Sequence, residues 1–225
     1  MKAIIFSDLH ENFKNIEKLQ NFKNLFFLGD IFTNKDFINL IGKDFLDFYS
    51  KRIDSNTLCS KFNTVKEKLL LSKTGLKIPK FFKENNIYIL PGNHETKEWY
   101  YKLKELPNLV DLHLKKIQIE GTEFVGHGGM ISPDNKINLD NFFIYSDEQV
   151  AQNLKKLNPS KNSVILMHEL PIGDYCSKTR KVIEKIKPRI VIGGHNHKIS
   201  KKKIQINGIK YLASGMKGDF IVVKI

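Results

Sequence analysis

The chain is 225 residues long and sets 37 Lys and Arg against 24 Asp and Glu, a formal charge of +13. With 41% hydrophobic and 27% charged residues, its composition is that of an ordinary soluble globular protein, which excludes collagen-like repeats, mucin-like stalks and wholesale disorder. The length fits a single domain, residues 1–225, with room for a small insertion.

The first element is a short apolar run from Lys2 to Ser7, which reads as a buried strand. Phe13, Ile16 and Leu19 then recur at helical spacing between Asn12 and Gln20, with Asn12 able to cap. Leu25 to Leu28 is the next strand, so the chain opens as a βαβ unit, an arrangement that prefers a right-handed crossover and a parallel sheet. From about 36 to 84 the pattern turns helical: Phe37, Leu40, Ile41, Phe45 and Phe48 form one apolar face, and Leu58, Phe62, Val65, Leu69 and Leu70 another. This predicts a helical, cap-like insertion. Strand resumes at Ile87 to Leu90, and a helix runs from Thr96 to Leu106, stopped by Pro107.

The second half is richer in strand. Leu114 to Ile119 and Glu123 to Gly126 flank a turn at Glu120 and Gly121. A helix from Asp147 to Leu157 follows, then strand at Ser163 to Met167, helix at Thr179 to Ile186 and strand at Arg189 to Ile192. Lys203 to Ile206 and Ile209 to Leu212 enclose Asn207 and Gly208, a type I′ hairpin signal, before a last strand from Phe220 to Ile225. Alternating helix and strand followed by mostly strand suggests two sheets packed together with helices outside.

Cys59 and Cys176 lie far apart without CxxC spacing and read as reduced thiols of a cytosolic protein. The apolar run at Ala3 to Phe6 is too short for a signal peptide, and no window offers about 18 uninterrupted apolar residues for a membrane span. The expected compartment is the cytoplasm. Among the basic residues only Arg52, Arg180 and Arg189 are arginine. Lysines attract anions as point charges, whereas forked recognition of phosphate or of a guanine edge favours arginine. The basic excess therefore fits polyanionic partners without base-specific reading of DNA, or a lysine-rich bias of the whole proteome.

Five polar clusters each follow a predicted strand: Asp8-Leu-His10, Gly29-Asp30, Gly92-Asn93-His94-Glu95, His168, and Gly194-His195-Asn196-His197. Strand ends on one edge of a sheet are where open α/β folds assemble their sites. Asp, His and Asn together are ligand chemistry for divalent cations, the carboxylates supplying charge and the imidazoles softer affinity.

The order DxH, GD, GNHE, a lone His, then GHxH resembles the calcineurin-like metallophosphoesterase superfamily over most of the chain, from Asp8 to His197. The resemblance implies an α/β fold: a four-layer α/β/β/α sandwich of two facing mixed sheets with outer helices, carrying a two-metal centre that hydrolyses phosphate esters. It implies that Asp8, His10 and His197 bind one metal together with Asp30, and that Asp30, Asn93, His168 and His195 bind the other. A carboxylate between two dications about 3.5–4 Å apart offsets their repulsion, and such a pair can activate a hydroxide near neutral pH. By the same resemblance His94 faces the substrate and assists the leaving oxygen, a contribution typically of about 10² to 10⁴ in rate. Asp8 or Glu95 is expected to orient its imidazole. Glu95 is expected to serve the positive end of the helix that it opens.

Two positions depart from the pattern. Thr33 stands where many relatives have the second Asp of GDxxD, which puts a supporting contact in doubt. Leu170 replaces the first proline of the common HxPP form.

Some residues admit two readings. His127, flanked by Gly126 and Gly128, is either a substrate-binding residue at the rim or a solvated histidine in a turn. His113 reads as an ordinary strand histidine, and Trp99, Tyr100 and Tyr101 as core or as a stacking platform. Lys198, Lys201, Lys202 and Lys203 either steer an anionic substrate or protect a hairpin edge. The insertion either caps the pocket or pairs two copies as a homodimer.

The expected function is a metal-dependent phosphoesterase acting on a phosphorylated small molecule or nucleotide, as mono- or diester. Its two divalent ions would be Mn²⁺ first, with Fe, Zn, Co or Ni as alternatives. A nuclease acting on DNA or RNA, and a metal-binding scaffold without turnover, are the alternatives; nucleic acid is not favoured, because only a short stretch follows His197.

Overall fold

The computed structural model of the chain describes residues 1–10, 12–13, 15–19, 22–31, 57, 80–132, 142–216 and 219–225. Thirteen strands are assigned among them: β1 Lys2–Phe6, β2 Leu25–Phe27, β3 Ile87–Ile89, β4 Leu109–Asp111, β5 Lys115–Ile119, β6 Thr122–His127, β7 Met130–Ser132, β8 Ile144–Ser146, β9 Val164–Glu169, β10 Ile190–Gly194, β11 Lys203–Ile206, β12 Ile209–Ala213 and β13 Ile221–Lys224. The α-helices among the described residues are α1 Lys80–Glu84, α2 Lys97–Leu103, α3 Asp147–Leu157 and α4 Ser177–Ile186.

Along a strand successive side chains point to opposite faces, so a strand apolar at every position has both faces covered. In β1, Ala3 and Ile5 point one way while Ile4 and Phe6 point the other, and all four are buried. β1 to β4 run parallel in a five-stranded sheet ordered β13-β1-β2-β3-β4, with β13 antiparallel at its edge. The second sheet has the order β11-β12-β10-β9-β6-β5; its four central strands are parallel and both outer strands antiparallel.

Three apolar layers hold the fold together. Between the sheets, Ala3, Ile5 and Phe26 of the first meet Phe124, Val164, Leu166, Ile192 and Leu212 of the second. Phe26 stacks on Phe124 across this interface, ring centroids 4.8 Å apart. Outside the first sheet, Ile4, Phe6 and Phe27 pack against Phe81 and Phe82 of α1 and Trp99, Tyr100 and Leu103 of α2. Outside the second, Ile165, Met167 and Val191 pack against Val150 and Leu154 of α3 and Val182 and Ile183 of α4. Each large apolar side chain so buried contributes about 1.5–3 kcal/mol. The four-layer α/β/β/α arrangement expected from the resemblance is the one observed.

Local signals explain the helix ends. Thr96 caps α2 by accepting the Trp99 N–H, and Ser146 with Gln149 forms a capping box at α3. The first turn of α4 donates its Lys178 and Thr179 N–H groups to the carboxylate of Asp147, which docks the two outer helices on each other. Asn207 and Gly208 both have positive φ, as the type I′ hairpin requires. The residues after His197 supply β11 and β12 to one sheet and β13 to the other.

Two expectations change. Between Asn12 and Gln20 the described residues form a 3-10 turn at Ile16–Leu19 in place of a helix. β4, β7 and β8 carried no sequence signal because each ends in a polar residue, Asp111, Ser132 and Ser146, and so lacks the unbroken apolar run that marked β2 and β3. Of the insertion expected at about 36–84, Lys80–Glu84 is helix α1; residues 36–56 and 58–79 lie outside the described residues, as does Thr33.

Candidate metal centre

All five clusters meet where the parallel strands of both sheets end. Ser7 and Asp8 follow β1, Gly29 and Asp30 follow β2, Asn93 and His94 follow β3, His168 is the last residue but one of β9, and His195 follows β10. The chain must turn sharply at these points. Asp8, His10, Asp30 and His195 all adopt positive φ, between 46° and 67°. For residues with a Cβ that conformation costs of order 1–3 kcal/mol each and persists only where surroundings enforce it. Hydrogen bonds from Asp8 N–H to the Gly29 carbonyl and from His10 N–H to the Asp30 carbonyl do part of that enforcing.

Two glycines let the loops close up. A Cβ on Gly92 would lie 2.0 Å from Asp30 Oδ1, and one on Gly194 2.2 Å from Ser7 Oγ and 2.3 Å from Asp8 Oδ2. The motif glycines therefore make room for the carboxylates of other motifs.

Each buried aspartate divides its oxygens in the same way. Asp8 Oδ2 accepts from Ser7 Oγ at 2.5 Å and from the His195 N–H at 2.8 Å, while Oδ1 lies 3.2 Å from His197 Nε2 and 4.0 Å from His10 Nε2. Asp30 Oδ1 accepts the His94 N–H at 2.9 Å, while Oδ2 lies 3.4 Å from His168 Nε2 and 3.8 Å from His94 Nε2. One oxygen of each is fixed by backbone; the other faces imidazole nitrogen.

His168 is the sharpest test of whether these groups suit a cation. Its Nδ1 is 2.7 Å from the Leu28 carbonyl, which can only accept, so Nδ1 carries the proton. In the neutral ring Nε2 then presents a lone pair, yet it faces Asn93 Oδ1 at 2.9 Å and Asp30 Oδ2 at 3.4 Å. Lone pairs converging in this way call for positive charge between them: a second ring proton or a metal ion.

The charge balance agrees. Burial would raise the Asp30 carboxyl, but the imidazoles of His94 and His168 hold it well below the usual carboxylate range. Burial would likewise raise Asp8, and the His197 contact and the charge of His168 outweigh it. Burial would lower His168, but the Asp30 carboxylate pushes it up to about 10. A field that retains a proton on His168 to that pH also favours a divalent cation.

Two groups have ligand atoms all within 4.8 Å of one another: Asp8, Asp30, His168 and His195, and Asp8, His10 and His197. Asn93 joins the first through His168. The carboxylate common to both groups is Asp8, where the resemblance implied that Asp30 is shared; the two stand side by side. Every residue expected in the centre is thus brought to it.

Other expectations are revised. The carboxylate beside the His94 imidazole is Asp30, where Asp8 or Glu95 was expected. Glu95 does not open a helix: α2 begins at Lys97 behind its Thr96 cap. Instead Glu95 is 2% exposed and accepts the N–H groups of Asp30, Ile31 and Gly92. Burial, and then the charge of Asp30, push it up to about 7. His127 is not on a rim: it is 1% exposed at the end of β6, with Nε2 3.3 Å from Asn153 Nδ2 of α3. His113 accepts the Gly128 N–H and contacts the Tyr145 hydroxyl at 3.0 Å. Trp99 and Tyr100 are core, whereas Tyr101 is half exposed beneath Lys104. Lys201 pairs with Asp219, and Lys203 begins the edge strand β11. Lys198 is exposed on the turn that starts at His197.

Three supporting residues escaped the sequence reading. Ser214 Oγ lies 2.5 Å from Ser7 Oγ, which bonds Asp8, so β12 braces the end of β1. Glu169 accepts the Ile131 N–H and the Tyr175 hydroxyl, fixing β7 beside the end of β9 that carries His168. Adjacency to Asp8 and to His168 was the available signal for Ser7 and Glu169; for Ser214, 207 residues from its partner, there was none.

The family model described as calcineurin-like phosphoesterase matches residues 1–199, a span that includes every residue of the centre. One solved crystal structure superposes with a TM-score of 0.67 at 18% identity, over 99% of this chain and 94% of that one. The protein TT1561 of Thermus thermophilus superposes with a TM-score of 0.60 at 13% identity, over 96% of this chain and 90% of that one. At these identities the likeness is one of fold. No curated protein matches the chain.

Proposed function

Since the chain belongs to the calcineurin-like phosphoesterase family, whose members are metal-dependent hydrolases of phosphate esters, we propose that it hydrolyses phosphate mono- or diesters of a small molecule or nucleotide with two divalent cations. The observation that carries this reading is the set of lone pairs converging from His168 Nε2, Asn93 Oδ1 and Asp30 Oδ2, beside the second group of Asp8, His10 and His197. Asp8, His10 and His197 with Asp30 would hold one ion; Asp30, Asn93, His168 and His195 would hold the other. The mixed set of imidazoles and carboxylates suits Mn, Fe, Zn, Co or Ni over Mg, and of these we take Mn²⁺ first. When bound, such a pair supplies positive charge for phosphate oxygens and lowers the pKa of a coordinated water.

The remaining work falls to the protein. Asp8 and Asp30 are held by backbone and by Ser7 so that one oxygen of each stays aimed into the centre. His94 lies at the open side, its side chain 17% exposed and its Nε2 3.8 Å from Asp30. Placed there, it can donate a proton to the departing oxygen or stabilise the charge that develops on it. Cys176 is a buried free thiol, and among the described residues no helix is long and apolar enough to cross a membrane; we place the enzyme in the cytoplasm on the paucity of cysteine.

The test is a phosphoester panel with the Mn²⁺-loaded protein: p-nitrophenyl phosphate, its bis ester, nucleoside monophosphates, cyclic nucleotides, and single- and double-stranded DNA. Turnover of small esters is expected. Cleavage confined to DNA, with steeply salt-dependent binding, would replace this reading with a nuclease. Two bound metals without turnover of any ester would replace it with a scaffold.

A further inference from the structure

Both carboxylate oxygens of Glu95 accept from backbone. Oε2 takes the N–H groups of Asp30 at 2.9 Å and Gly92 at 2.6 Å, and Oε1 takes that of Ile31 at 2.6 Å. Asp30 and Ile31 lie 65 and 64 residues away in sequence, on the loop that leaves β2; Gly92 lies on the loop that leaves β3. The two loops also touch backbone to backbone, since a Cβ on Gly29 would fall 2.3 Å from Gly92 N.

The geometry at the β2 exit explains why a carboxylate is needed. Gly29 and Asp30 both have positive φ, 99° and 62°. Successive amides in such a turn point toward a common centre and form a concavity for an anion. The Glu95 carboxyl group fills it, so a conformation that Asp30 disfavours on its own is stabilised by two hydrogen bonds on either side of its Cα. The side chain of Asp30, projecting from that Cα, reaches Oδ1 to the His94 N–H and Oδ2 toward His168.

We infer that Glu95 is a positioning residue, one that holds Asp30 and the Asn93–His94 backbone in mutual register for cation binding. It does so through the main chain of two motifs. The assignment rests on the metal-centre reading above.

The test compares the parent with Glu95→Gln. A glutamine carbonyl can serve the two amides that share Oε2, but its NH₂ then meets the Ile31 N–H donor to donor. Calorimetric titration with Mn²⁺ should show affinity lowered about 10- to 100-fold, the usual range for residues that orient metal ligands. Far-UV circular dichroism should be unchanged, and the Ile31 amide should exchange with solvent faster. The Mn²⁺ concentration for half-maximal turnover should rise in parallel, with KM for p-nitrophenyl phosphate unchanged at saturating metal. Affinity within twofold of the parent, even with a lowered melting temperature, would reduce Glu95 to a fold-stabilising residue and overturn the inference. Should the variant not fold, amide exchange in the parent decides: protection of the Asp30, Ile31 and Gly92 amides supports the contact, and free-peptide exchange rates overturn it. A parent that binds no Mn²⁺ overturns the metal-centre reading as well, whereas a parent that binds two ions beside an unaffected variant overturns this inference alone.

Discussion

The Nε2 atoms of His10 and His197 lie 3.1 Å apart across 187 residues of sequence. His197 Nε2 is also 3.2 Å from Asp8 Oδ1, so two imidazole nitrogens and a carboxylate oxygen share one small space. At that spacing the three groups can share a proton or a cation, and the surrounding carboxylates favour the cation of higher charge.

Replacing His197 with alanine removes one of those three donors and leaves Asp30, Asn93, His168 and His195 in place. Elemental analysis of purified His197→Ala after Mn²⁺ loading should give about one ion per chain where the parent gives two. Two tightly held ions in the variant would exclude His197 as a ligand.

Asp30 and His94 are neighbours with different assigned duties, and substitution should separate them. Asp30→Asn keeps the volume but removes a buried charge from the centre, so it should lose metal occupancy. His94→Ala should retain both ions and lose turnover by about 10² to 10⁴. Full activity in His94→Ala would show that leaving-group assistance comes from elsewhere.

Gly194→Ala tests the packing of the motifs. The added Cβ would fall 2.2 Å from Ser7 Oγ and 2.3 Å from Asp8 Oδ2, and the Asp8 carboxylate cannot yield without losing its bond to the His195 N–H. We expect about 1–3 kcal/mol of destabilisation and weaker Mn²⁺ binding, read by urea denaturation and calorimetry. An unchanged affinity would mean that Asp8 tolerates displacement.

The His113 and His127 pair predicts acid sensitivity away from the metal edge. Burial pushes His113 down to about 4, and burial, with His113 beside it, pushes His127 down to about 3. Both therefore stay neutral in the folded protein at pH values where the unfolded chain takes up a proton near 6.5. Their contribution to stability is complete above about pH 6.5 and is lost as pH falls toward 4 and then 3. Between pH 7.5 and 4.5 the parent should lose about 2 kcal/mol more than His127→Gln in urea unfolding. Equal losses would show that His127 is accessible to protons in the native state.

Much of this centre was legible in the sequence because motif chemistry is local. Asp8 with His10, Asn93 with His94, and His195 with His197 each sit within three positions of one another just beyond an apolar run, and parallel strands bring such ends to one edge. Periodicity likewise gave α3 to the residue and both long hairpins. What escaped was carried by contacts between distant positions or by short elements without an unbroken apolar run. The Ser214 to Ser7 contact joins residues 207 apart, and β4, β7 and β8 each break their short apolar run with a polar residue, unlike the equally short β2 and β3. Glu95 was misread because its neighbours in sequence suggested a helix end, whereas its partners are amides of the β2 loop. His127 looked like a rim residue because glycines flank it. The Gly128 backbone is instead packed against Pro91, where a Cβ would fall 2.3 Å from Pro91 Cδ, and the imidazole turns inward toward Asn153.

The central claim is that Asp8, His10, Asp30, Asn93, His168, His195 and His197 hold the ions on which phosphoester hydrolysis depends. Hydrolysis of p-nitrophenyl phosphate and its bis ester by the full chain, followed before and after exhaustive chelation and again after Mn²⁺ is restored, addresses it directly. The account predicts turnover that disappears with the chelator and returns with Mn²⁺; turnover that persists undiminished in the chelated protein would contradict it.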